Sequence, residues 1–100
     1  SLSDTIPAMP KKRSQLAIDT GKRLERLRLA KGYRYIRTFA GDLDIHEDTY
    51  RAWEKGDNLL PMCVALMLED RFEVTTAWLY RGDERGLRVG LLQELNSIAA

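Results

Sequence analysis

The chain is poor in the groups on which catalysis and metal binding draw. Its 100 residues include one histidine, His46, and one cysteine, Cys63. No His or Cys cluster stands at a metal-ligand spacing, and no glycine-rich loop is built to cradle phosphate. Asp42, Asp44, Glu47 and Asp48 crowd together, but they alternate with apolar residues and lack the glycine on which a calcium loop turns. These shortages argue against an enzyme, a metal site and any cofactor. Long hydrophobic runs are missing too. The longest, LLPMCVALML at 59–68, is about half of what a bilayer crossing needs. Cys63 sits inside it and reads as a small buried core residue. The start, SLSDTIPAMPKKRS, has no apolar stretch followed by a cleavage site, so no signal peptide is expected. No membrane association is expected, and the inferred location is cytoplasmic. Hydrophobic residues make up 44% and charged residues 31%, which favours an ordinary folded domain over disorder.

Excess charge is also lacking, since the formal net charge is only +1. Its distribution is uneven, however. Residues 11–37 carry ten Lys and Arg against Asp19 and Glu25, a local balance of +8. Residues 42–58 carry six carboxylates against Arg51 and Lys55, a balance of −4. The basic first third is suited to phosphate, whereas near-neutrality overall implies weak non-specific affinity for nucleic acid at physiological salt.

β-alternation of useful length is absent, and what is present is helical. Pro7 and Pro10 mark residues 1–13 as an irregular basic arm ending in KKR. From Ser14 to Lys31 no proline occurs, Leu24 and Leu27 lie three apart, and Gly32 is a C-terminal stop. Gly21 interrupts this segment, so the helix is expected to start at Thr20 or earlier. Ile36, Phe39, Ala40 and Leu43 follow i, i+3, i+4, i+7, one face of a short helix. GDLDI then turns the chain. His46 or Asp44 opens the next helix, which turns Tyr50 and Trp53 inward and ends at Gly56. Pro61 is tolerated only in the first turn of the helix that follows. Because 62–68 is apolar nearly all round, that helix is expected to be the buried centre. Thr75 caps a short helix bearing Trp78 and Leu79, stopped at Gly82. A final stripe of Leu87, Leu91, Leu95 and Ile98 either folds back or pairs with a second copy.

The elements GKRLERLRLAKG, FAGDLDI, TYRAWEKG with Pro61 beyond it, and FEVTTAWLYRGD come in this order over residues 20–83. In this combination they resemble the lambda-repressor-like, Cro/repressor-type (XRE) helix-turn-helix family. The resemblance implies an all-α, five-helix DNA-binding domain over 14–83, followed by a C-terminal amphipathic helix over 84–100 that serves dimerisation or fold-back. It implies that Ala40 is the small residue where the two motif helices touch, and that Leu43, Ile45, Tyr50 and Trp53 are core. It also implies an ion pair between Arg28 and Glu54. In such domains the third helix lies in the major groove. By position, His46, Glu47, Asp48, Ala52 and Asn58 would face bases, while Arg34, Tyr35, Arg37, Thr49, Arg51 and Lys55 would face phosphates.

Three features set this chain apart from the family pattern. One extra residue stands between Gly32 and Ala40, which bears on where YRYI falls relative to the phosphate-contact position. Asp44 stands at the turn position usually held by glycine, and Asp tolerates φ > 0 better than most residues. The base-facing turn reads HED. Its carboxylates either accept from cytosine N4 or stabilise the helix N-terminus through its dipole by about 0.3–1 kcal/mol each. The implied function is sequence-specific regulation of transcription, on double-stranded DNA and as a homodimer, with any small-molecule effector left open. The alternative is a non-enzymatic protein-interaction module, adaptor or antitoxin-like, that uses the acidic third helix.

Overall fold

The computed structural model describes residues 14–98. The expected arm at 1–13, with its KKR triplet, lies outside the described residues. The described residues fold into six α-helices and no strands: α1 (Gln15–Ala30), α2 (Ile36–Asp42), α3 (Glu47–Lys55), α4 (Met62–Phe72), α5 (Thr76–Arg81) and α6 (Val89–Asn96).

Local chemistry sets most of these boundaries. The Ser14 hydroxyl accepts from Ala17 N–H at 3.0 Å and starts α1. Lys31 closes that helix, and Gly32 follows at φ +87°. Gly21 lies inside α1, which starts before Thr20 as expected. An added Cβ there would stand 2.5 Å from the carbonyl oxygens of both Trp53 and Glu54. The glycine is what lets α1 approach the C-terminal end of α3. His46 caps α3, its Nδ1 accepting from Asp48 N–H at 3.2 Å. Thr75 caps α5 by accepting from Trp78 N–H at 2.9 Å. Pro61 precedes the first turn of α4, where no N–H is needed.

The core forms where α1, α2 and α3 meet. Leu24 and Leu27 of α1, Phe39 and Ala40 of α2, and Tyr50 of α3 are fully buried. Phe39 is the aromatic centre, with its ring 4.8 Å from Tyr33, 5.5 Å from Tyr50 and 5.7 Å from Phe72. Helix α6 folds back onto its own chain, with Leu87, Leu91 and Leu95 buried in the same cluster.

Helix α4 departs from expectation. Only Ala65 and Leu68 are buried, while Met62, Cys63 and Leu66 are exposed. The long helix α1 takes the central place because its neighbours are α3, α5 and α6, whereas α4 packs mainly on α5. Val64, Met67 and Phe72 pack partly against the core, so the outward apolar surface of α4 is that of Met62, Cys63 and Leu66, and Cys63 is a surface thiol rather than a core residue.

Candidate nucleic-acid interface

The unit α2–turn–α3 is built around a tight reversal. Ile45 N–H donates to Ala40 O at 2.9 Å, and Asp44 takes φ +60° to make the bend. Ala40 is fully buried, in the same core cluster as Tyr50 and Trp53 of α3.

A charged clamp fixes α3 against the rest of the domain. Arg28 Nε donates to Glu54 Oε2 at 2.8 Å, and Nη2 donates to Oε1 at 3.3 Å. Its Nη1 donates to the backbone carbonyls of Tyr33 at 3.0 Å and Arg34 at 2.8 Å. One guanidinium thus joins α1, the α1–α2 loop and α3, and its planar fork suits that geometry. The Tyr50 hydroxyl adds a 2.6 Å bond to Glu54 Oε2. Burial works against the charge on Arg28, but hydrogen bonding and attraction from Glu54 outweigh it and raise its pKa. Burial, then the charge and hydrogen bond of Glu54, drive the Tyr50 pKa strongly upward, so Tyr50 stays a neutral donor. Tyr50 and Glu54 lie at i, i+4 on one helix, a spacing that makes this contact legible in sequence. The loop carbonyl contacts of Arg28 have no such signal.

With Tyr50, Trp53 and the Glu54 carboxylate turned inward, the opposite side of α3 faces solvent. Asp48, Ala52 and Lys55 follow i, i+4, i+7 on that side. The side chain of Asp48 is 80% exposed, while Glu47 and Arg51 are about half as open. Arg51 Nη2 lies 2.5 Å from Glu47 Oε2, and Nη1 lies 3.5 Å from Asp48 Oδ1. The expected phosphate contact Arg51 is therefore engaged by the two acids of the same turn, leaving that trio one negative charge rather than two. His46, Thr49 and Asn58 are exposed, and Ala52 is half-buried.

Arg34, Tyr35 and Arg37 are exposed at the start of α2, Tyr35 immediately before its first residue. Arg34 also borders a shallow groove with Leu29, Gly32 and Ile98. The α1–α2 loop is tied down by the Tyr33 hydroxyl donating to Asp42 Oδ2 at 2.7 Å. On the far side of α1, Arg23 Nη1 donates to Leu79 O at 3.0 Å, so this member of the basic stretch anchors α5. Sequence reasoning missed both of these contacts because each joins residues whose proximity is set by tertiary packing. No helix among the described residues is long and apolar enough to cross a membrane. Comparisons with protein-family models, with curated proteins and with solved structures found no match to the chain.

Proposed function

We propose that this protein is a sequence-specific DNA-binding regulator with a lambda-repressor-like helix-turn-helix, acting as a homodimer on two half-sites. The reading rests above all on the α2–turn–α3 unit. Ala40 next to the turn is fully buried, the turn uses a left-handed Asp44, and a clamped α3 turns Tyr50 and Trp53 inward and its opposite side to solvent. In this reading α3 lies in the major groove, with His46, Glu47, Asp48 and Ala52 toward base edges and Asn58 in the loop beyond. Arg34, Tyr35, Arg37, Thr49 and Lys55 supply phosphate contacts. Arg51 offsets the acidic turn as well as standing near the backbone. The phosphate term makes affinity fall steeply with salt.

Selection from random-sequence duplexes at low salt tests this. An enriched site is expected, together with uniform weakening across sequences for Arg34→Glu and Lys55→Glu. No enrichment at low salt would sink the proposal. One observation favours a second reading. The open Asp48 carboxylate, beside Glu47 on the same turn, would suit a basic protein surface better than a polyanion. Under that reading Asp48→Lys abolishes partner binding, and no DNA sequence is enriched.

A further inference from the structure

Part of the apolar run on α4 is left outside the core. Met62 is 55% and Leu66 50% exposed, and Leu59 just before the helix is 43% exposed. Within α4, Met62 and Leu66 lie four residues apart on one outward side, with the exposed Cys63 beside them, while Leu59 belongs to the extended segment before the helix. Among the described residues, the other large exposed hydrophobics, Leu16, Tyr35 and Val89, belong to other parts of the fold. Scattered apolar residues are normal on a surface, but a gathered stripe marks an interaction face.

The two ends of this stripe carry opposite charges. Asp70 is exposed four residues beyond Leu66, on the same side of the helix. At the other end, Met62 borders a groove that includes Tyr80 and the exposed Arg81. Among the described residues neither Asp70 nor Arg81 forms an ion pair, and the neighbouring Asp83 is engaged by Arg85 at 2.7 Å. Meanwhile the C-terminal stripe is already buried against its own chain.

We propose that the outer face of α4 is the contact between two copies of this chain, crossing antiparallel about a two-fold axis. Met62 and Leu66 of each copy lie at its centre, and Asp70 of one copy meets Arg81 of the other, twice. A two-fold contact uses the same patch on both partners and must therefore be self-complementary. An apolar stripe with an acid at one end and a base at the other satisfies that condition when reversed upon itself. From Met62 to Asp70 the stripe spans about 12 Å at the helical rise, within reach of one helix crossing. The inference rests on the α4 surface and not on DNA binding, although two half-sites require two copies.

Sedimentation equilibrium of the full chain without DNA tests the interface. A dimer is expected, and Leu66→Arg should raise its dissociation constant about thirtyfold, as loss of a central interface residue does. Because Leu66 is exposed, the melting temperature at low concentration should not change. Asp70→Arg should weaken the dimer, and adding Arg81→Asp in the same chain should restore it. Maleimide labelling of Cys63 should slow as concentration rises through the dissociation constant. A monomer at every concentration overturns the proposal, as does a dimer indifferent to Leu66→Arg or one that labels Cys63 at the monomer rate. An unchanged dimer in Asp70→Arg overturns the antiparallel pairing. The duplex selection reads DNA binding alone, so the DNA-binding reading and the α4 interface fail separately, while the homodimer is common to both.

Discussion

Removing the Glu54 carboxylate leaves a guanidinium whose side chain is 7% exposed without its bidentate counter-charge. Breaking such a pair from one side costs about 3–5 kcal/mol, because the surviving charge stays buried. Glu54→Ala is therefore expected to lower the melting temperature by more than about 10 °C for a domain of this size. Glu54→Gln, which keeps an acceptor, should cost less, and thermal denaturation separates the two. An unchanged melting temperature in Glu54→Ala would remove the clamp role. The same cluster sets the alkaline limit. The folded pKa of Tyr50 is raised above its ordinary value of about 10, first by burial and then by Glu54, and those of Tyr33 and Tyr80 are raised as well. Above pH 10 the unfolded chain loses phenol protons that the folded chain keeps. Stability is thus fully present below that pH and falls as pH rises beyond it. Tyr50→Phe should flatten this decline in urea titrations between pH 9 and 11; an unaltered slope would remove Tyr50 from the account.

At the scale of elements, glycine position decides how closely helices approach. Alanine is the better helix former by about 1 kcal/mol. At Gly21, however, its methyl group would press on two backbone carbonyl oxygens of α3 at 2.5 Å, which cannot swing aside as a side chain can. Overpacking of this kind costs about 1–3 kcal/mol, so Gly21→Ala should destabilise the fold. At Gly41, in α2, an added Cβ meets nothing within 4 Å. Gly41→Ala should stabilise by about 0.5–1 kcal/mol through helix propensity alone. Opposite shifts of the urea midpoint for one chemical change would show that contact, not propensity, governs Gly21. Helix α4 teaches the related lesson for side chains. Its composition announced burial on all sides, whereas its neighbours cover one side and leave Met62 and Leu66 outside.

Across the whole molecule, α6 is held by apolar burial rather than by its visible ion pair. Lys31 Nζ lies 3.1 Å from Glu94 Oε1, but both side chains are solvent-accessible, at 26% and 51%. Such pairs contribute about 0–1 kcal/mol. Leu95, 1% exposed, contributes far more. Leu95→Ala should cost about 2–5 kcal/mol, and Lys31→Ala less than about 0.5 kcal/mol, as read from denaturant midpoints. Comparable losses from both would mean that the surface pair carries more of the docking than its exposure allows.

Much of this architecture follows from the order of residues alone. Ser14, His46 and Thr75 cap helices with their own side chains, while Gly32, Gly56 and Gly82 end them in left-handed backbone. These are local events, decided within a few residues. The inward side of α3 was equally legible, because Tyr50 and Trp53 keep a helical spacing. Only tertiary structure decided how far each face is covered. It placed α6 on its own domain, tied Arg28 to two loop carbonyls, engaged Arg51 with Glu47 and Asp48, and left the α4 stripe open. Periodicity states which residues share a side of a helix. What lies against that side is set by contacts between distant parts of the chain, and no local pattern encodes them.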